Sequence, residues 1–315
     1  MATDKKRNLK KVLSITVVIL ITFVFISFGT TKIVYDACFP RYDGEQEALS
    51  EELKKLNESR TEEEFLSDGY RLKGYLYPAE SGEKQGLIVF AIGFNATVND
   101  YLWQVKAFSE KGYGVFIFDP TGCGDSEGES AVGFPQMLTD LDAALDYIEA
   151  NKGFDYKDIF LFGHSRGGYA VCCVEIYGHD IAAVASVNGI NSAMEGVMMP
   201  AANAVGNIVY SNYPFLWLYQ VMLFGADTAN ANAADVLEST GTPALVIHSA
   251  GDETVPENRF SIISHTDKID TDTVTFIKGY GDVNGNSHSK ILFGEDGKAN
   301  SELIKLITDF FDKAA

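Results

Sequence analysis

Residues 163–167, Gly-His-Ser-Arg-Gly, set a serine between two glycines, directly after the apolar run Ile159-Phe-Leu-Phe and before Gly168-Tyr-Ala-Val-Cys-Cys. A serine hydroxyl becomes a useful nucleophile when a base takes its proton and the backbone holds it clear of its surroundings. Gly-x-Ser-x-Gly between a strand and a helix, a nucleophile elbow, does the second job. The serine occupies a strained turn, and Gly163 and Gly167 remove the Cβ atoms that would clash there. A strand, a glycine turn and a helix with no catalytic role use the same residue types. What separates the two readings is whether the chain also supplies a base and an acid to orient it.

Five histidines could be the base. His164 adjoins Ser165, and neighbouring side chains diverge on a sharp turn, so it reads as a support. His248 ends an expected strand, His265 sits in an expected helix and His179 comes just after one. His288 lies in GYGDVNGNSHSK, a Gly- and Asn-rich loop after the last expected strand, from which a side chain can reach the C-terminal edge of a sheet. In the fold that such an elbow implies, the acid falls between serine and histidine in chain order. ALVIHSAGDETVP offers Asp252, four residues past His248 and directly after a glycine that can turn the chain. Glu253 is the competing carboxylate.

Such residues need a scaffold, and the pattern along the chain supplies one. Apolar runs at 71–77, 87–92, 115–119, 159–162, 182–187, 244–248 and 274–277 read as strands. Helical patterns fall between or after them at 100–110, 135–150, 257–266 and 301–312. This alternation predicts a mostly parallel sheet flanked by helices. One gap, 189–235, is too long for a structureless loop and is expected to be a helical insertion. It carries Met194, Met198, Met199, Met222, Tyr210, Tyr213, Tyr219, Phe215, Phe224 and Trp217. This apolar bias suits either its own packing or a substrate-lining cap, and 214–226 is too short to cross a membrane.

Before the strands, Lys5, Lys6, Arg7, Lys10 and Lys11 precede an uncharged run at 12–31, VLSITVVILITFVFISFGTT, which is long enough to span a bilayer. The positive-inside rule keeps the basic end in the cytoplasm and exports the chain beyond the run. A cleaved signal peptide is the rival; the run exceeds the usual apolar core, and no Ala-x-Ala site stands after it. Cys38 in Tyr-Asp-Ala-Cys is a poor lipobox. The expected organisation is a cytoplasmic tail and anchor at 1–31, a Glu/Lys-rich juxtamembrane helical stalk at 32–68, and a catalytic domain at 69–315. The net charge of −19 argues against nucleic acid as a partner. Cysteines 38, 123, 172 and 173 match neither a disulfide framework nor a metal pattern.

From about residue 70 to its end the chain resembles the α/β-hydrolase superfamily. The resemblance rests on GHSRGG, on FDPTGCGDSEG at 118–128, on GDETVP and on the late SHS. Within the superfamily it looks most like lipases, esterases and peptidases of the monoacylglycerol-lipase and serine-aminopeptidase type. The resemblance implies the α/β-hydrolase fold with a cap over the serine, no cofactor and no metal. It also implies an oxyanion hole from two amides, that of Arg166 after the nucleophile and one in Ala91-Ile-Gly-Phe-Asn, for which Phe94 is the candidate. Ile92 stands where the family often has histidine, which puts the placement of that loop, and any part for Asn95, in question. Residues 282–293 superficially resemble a calcium loop but lack its Gly and Glu at positions six and twelve. The expected function is a membrane-anchored serine hydrolase acting on small acyl or lipid-like esters. An acyltransferase, thioesterase or peptidase on the same scaffold, or a non-catalytic tethered binding module, are the alternatives.

Overall fold

The computed structural model describes residues 2–45, 48–80, 86–151, 153–269, 272–281 and 288–315. In chain order its elements are α1 (Ala2–Cys38), α2 (Glu51–Glu58), β1 (Thr61–Ser67), β2 (Tyr70–Tyr77), β3 (Leu87–Ala91), α3 (Leu102–Glu110), β4 (Gly114–Phe118), α4 (Gln136–Ala150), β5 (Ile159–His164) and α5 (Arg166–Cys173). After these come β6 (Ala183–Val187), α6 (Ala193–Val205), α7 (Tyr213–Phe224), α8 (Ala226–Asn230), α9 (Ala233–Thr240), β7 (Ala244–Ser249), β8 (Val274–Tyr280) and α10 (Ser301–Ala314).

Among the described residues the strands form one sheet in the order β1-β2-β4-β3-β5-β6-β7-β8. The first two run antiparallel to their neighbours, and β4, β3, β5, β6, β7 and β8 are mutually parallel. Every residue of β3, β4, β6 and β7 is buried, as expected for strands covered by helices on both faces, so apart from His248 their sequences are continuously apolar or small. From β3 the chain steps to β4 on one side and then to β5 on the other. The C-terminal ends of β3 and β5 therefore flank the point where strand order reverses, which is where open α/β sheets bind ligands.

The segment read as a helical stalk at 32–68 is built differently. Helix α1 runs on to Cys38, only 51–58 is helical beyond it, and 61–67 is the antiparallel edge strand β1. The chain between is fastened to the domain: Arg41 donates to the carbonyls of Gly124, Ser126 and Gly128, and Leu53 and Leu56 are buried. β1 escapes notice because Glu62, Glu63 and Glu64 are adjacent and only Phe65 and Ser67 face the core. The helix expected at 257–266 is also absent. Phe260 adopts φ 67°, Ser261 caps a short 3₁₀ segment at Ile262–Lys268, and His265 breaks that segment.

Helix α1 includes Lys10–Cys38, long and apolar enough to cross a membrane by length and composition. The insertion after β6 is helical, comprising α6, a 3₁₀ segment (Gly206–Asn212), α7 and α8.

Candidate active site

β5 delivers Ser165 at φ 58°, ψ −118°, a backbone conformation rare for any residue with a side chain. Such strain persists only where surroundings impose it. Here they do: a Cβ on Gly163 would lie 2.3 Å from the Gly167 carbonyl oxygen, and one on Gly167 2.0 Å from that of Ala91. Only glycine at both positions lets α5 start that close to β5 and β3. The result is a serine at the helix N-terminus, buried except for a small opening.

His288 and Asp252 reach Ser165 from the C-terminal side of β8 and β7. His288 Nε2 lies 2.7 Å from Ser165 Oγ, and His288 Nδ1 lies 2.7 Å from Asp252 Oδ2. The other carboxylate oxygen of Asp252 accepts the N–H groups of Thr254 (2.9 Å) and Val255 (2.8 Å). Glu253 is exposed and takes no part in this contact set. His179 meets Asp142 at 2.8 Å and Glu149 at 2.9 Å, and His265 meets Glu195 at 3.2 Å, so neither approaches the serine. Residues 282–287, the first half of the calcium-like stretch, lie outside the described residues.

The loop after β3 passes beside the serine: a Cβ on Gly93 would fall 3.6 Å from Ser165 Cβ. Phe94 is the next residue, while Asn95 is exposed at φ 51° and turns the loop. Arg166 opens α5, so its N–H is one of the donors that the helix cannot satisfy internally. The Arg166 side chain is buried, with its guanidinium 5.3 Å from the Phe94 ring centroid. Asp119, at the start of the 118–128 loop, steadies the same region by accepting the Val98 N–H (2.8 Å) and the Asp125 N–H (3.1 Å). Burial raises its pKa to about 6 despite those two bonds.

A second layer of residues fixes His288. Tyr101 Oη accepts the Gly93 N–H (3.0 Å) and lies 2.9 Å from His164 Nδ1, and His164 Nε2 lies 2.9 Å from the His288 carbonyl oxygen. With the hydroxyl donating to Nδ1, the proton of His164 sits on Nε2 and points at that carbonyl. Asn188 donates to the same carbonyl (2.8 Å) and accepts the Ser249 N–H (2.8 Å). The backbone of His288 is thus held by the elbow and by the end of β6 together. His248 Nε2 lies 2.8 Å from the Val255 carbonyl oxygen, bracing the Asp252 turn. The sequence pointed to His164 as a support, but not to Tyr101 or Asn188. Asn188 carried a usable signal, a polar residue directly after a strand at the sheet's C-terminal edge; Tyr101 carried none.

Burial, and next the neighbouring His288, hold the His164 imidazole neutral, with its pKa pushed down to about 3. The unfolded chain, with an ordinary histidine pKa of about 6.5, therefore binds an extra proton in the window between the two values. The stabilisation tied to a neutral His164 is fully present above pH ~6.5 and is lost as pH falls towards ~3. His164→Gln removes this term. In denaturant unfolding at a series of pH values, the stability advantage of wild type over His164→Gln should shrink on acidification below pH ~6.5. A pH-independent advantage would show that the imidazole is not held neutral in the fold.

A large cleft of about 930 Å³ lies elsewhere, lined by Tyr42, Asp43, Asp100, Trp103, Asp119 and Asp125 among others. It includes none of Ser165, Asp252 and His288. Its acidic lining is unsuited to an acyl chain.

With this sheet order and this strand-turn-helix elbow, the chain has the α/β-hydrolase fold. Residues 82–214 match the family described as Serine aminopeptidase, S33, a stretch that takes in Ser165 and Phe94 and ends before Asp252 and His288. The chain is 36% identical over 123 residues to the thiohydrolase aneE of Aspergillus aculeatus, covering 37% of this chain and 38% of that protein. It is 29% identical over 132 residues to the polyketide transferase grgF of a Penicillium species, covering 41% and 44%. The chain thus spans less than half the length of these two relatives. Among solved structures, the esterase Pf2001 of Pyrococcus furiosus superposes with a TM-score of 0.61 at 14% identity, over 87% of this chain and 98% of that one. At that identity the likeness is one of fold.

Proposed function

We propose that this protein is a membrane-anchored serine hydrolase that cleaves carboxylic esters, lipid-like acyl esters among them, with its catalytic domain on the extracytoplasmic side. The observation that carries the reading is the pair of 2.7 Å contacts joining Ser165 Oγ to His288 and His288 to Asp252. In the proposed reaction His288 Nε2 takes the hydroxyl proton as Ser165 Oγ attacks the acyl carbon, and Asp252 stabilises the imidazolium. The carbonyl oxygen, now an oxyanion, is met by the amides of Phe94 and Arg166. His288 returns its proton to the departing alkoxide, leaving an acyl-serine. Water, deprotonated by His288, then attacks the acyl carbon and releases the carboxylic acid and free Ser165. The anchor rests on α1, and the orientation on the cluster of Lys and Arg before it.

Acyl chains are the expected cargo because Met194, Met198, Met199 and Leu216 of the cap are buried, and no charged residue occurs between Glu195 and Asp227. Methionine adapts to varied apolar shapes. Each methylene buried in the transition state adds about 0.8 kcal/mol, or roughly fourfold in kcat/KM. A p-nitrophenyl ester series should therefore rise from acetate to medium chains and level off when the pocket is full. A flat or falling series would mean that these residues serve only the cap's own packing.

A thioester or acyl-transfer role is the second reading, supported by the thiohydrolase and the polyketide transferase among the relatives. It uses the same acyl-serine and changes only what attacks it. Product analysis with an alcohol present in water distinguishes transfer from hydrolysis.

A further inference from the structure

We infer that the cap segment 206–224 is inserted into the lipid leaflet from which α1 emerges, instead of standing in water above it. This rests on the reading of α1 as a membrane span.

Composition gives the first reason. No Asp, Glu, Lys or Arg occurs between Glu195 and Asp227, and α7, Tyr-Pro-Phe-Leu-Trp-Leu-Tyr-Gln-Val-Met-Leu-Phe, is apolar on nearly every side. A helix of that kind belongs either in a large protein core or in a membrane. The core does not hold it: only Leu216, Tyr219 and Gln220 are buried, while Met222 is 65% exposed and Tyr213, Trp217 and Leu218 also face outward. Ile208, in the preceding 3₁₀ segment, is 74% exposed.

The neighbour of α7 supplies the second reason. Its rings pack on α1, with Phe215 against Phe23 (6.4 Å between centroids) and Tyr219 against Phe28 (5.9 Å) and Tyr35 (5.3 Å). Asn212, just before α7, donates to Thr31, the last residue of the uncharged run. Phe23 lies nine residues before Lys32, the first charge after the run, which is about 13 Å along a helix axis. A bilayer's hydrocarbon core is about 30 Å thick. Phe215 therefore touches α1 at the depth of the acyl chains. Where α1 leaves the apolar run, Lys32 pairs with Asp36 (2.6 Å), and the Tyr219 hydroxyl accepts from Lys32 (3.0 Å) and donates to Asp36 (2.6 Å). Charges and a tyrosine hydroxyl at that level suit the membrane–water boundary.

Being too short to span, α7 lies beside α1 within one leaflet. Past it, Phe39, one residue beyond α1 and itself buried, packs on the Phe94 ring at 5.4 Å, which ties the end of α1 to the loop beside the serine.

The test is depth-resolved quenching of Trp217. Trp103→Phe leaves Trp217 as the sole tryptophan, and the full-length protein is reconstituted into phosphatidylcholine vesicles whose acyl chains carry bromine near the headgroup or near the chain end. Insertion to the depth usual for interfacial helices, ~5–10 Å, predicts blue-shifted emission that loses most of its intensity to the shallow bromines and less to the deep ones. Wild type minus Trp217→Phe gives the same quantity should Trp103→Phe fold poorly. Water-like, unquenched Trp217 emission in protein that resists alkaline carbonate extraction would overturn the inference while leaving the anchor intact. If Met222→Cys then cross-linked to itself between chains, the exposed face would belong to a second copy, not to lipid. Release by carbonate would remove the anchor and the insertion together. Fluorophosphonate labelling of the same sample reports on the hydrolase reading separately.

Discussion

Alanine at Ser165 or at His288 is expected to lower kcat by about 10⁶, and the double variant is expected to be no slower than either single one. The reason is that the two side chains act as one unit through the 2.7 Å contact between them. Without the imidazole the hydroxyl keeps its proton, and without the hydroxyl the imidazole has nothing to activate. What survives comes from the candidate oxyanion amides of Phe94 and Arg166, which side-chain truncation at 165 or 288 does not remove. Steady-state kinetics on a single p-nitrophenyl ester measure all three variants. Losses that multiply in the double variant would mean that Ser165 and His288 contribute independently, which a proton relay forbids.

Asp252→Asn should cost about 10⁴ in kcat, by analogy with serine proteases in which the same change traps the wrong histidine tautomer. The hydrogen bonds of Asp252 explain why. Its Oδ1 accepts the N–H groups of Thr254 and Val255. An asparagine must keep its own oxygen there, since two donors face it. Its NH₂ then points at His288 Nδ1 and obliges that nitrogen to accept. The imidazole proton moves to Nε2, where it faces Ser165 Oγ and cannot take a second one. Glu253→Gln, on an exposed neighbour, should change kcat little. Kinetics at pH 7, with circular dichroism to check folding, decide between the two carboxylates. Reversed magnitudes would transfer the acid's role to Glu253.

Much of the scaffold is legible in the sequence because parallel strands buried on both faces leave continuous apolar runs, as in Leu87–Ala91 and Ala183–Val187. The elbow is legible because its backbone geometry demands glycine at 163 and 167. β1 is not, because one face of an edge strand is solvated and three consecutive glutamates hide its two inward residues. The helical pattern at 257–266 misleads because a tertiary bridge between Ile190 and Ser261 and the positive φ of Phe260 override local propensity. Tyr101 and Asn188 are missed for a related reason. Each bonds across the fold to a residue 63 or 100 positions away, and no local spacing encodes such a partner. The length of 214–226 is too short to cross a membrane but says nothing of a helix packed on α1. Only the packing of Phe215 and Tyr219 on α1 reveals that arrangement.

The central claim, that Ser165 is an activated nucleophile, is tested most directly by covalent labelling with a fluorophosphonate and peptide mass spectrometry of the adduct. The strained backbone at Ser165 and the imidazole 2.7 Å from its hydroxyl predict a single adduct, on the peptide containing Gly-His-Ser-Arg-Gly. Ser165→Ala should abolish it and His288→Ala should slow it steeply. An adduct that persists in Ser165→Ala, or a folded wild-type protein that takes no label at all, would contradict the account.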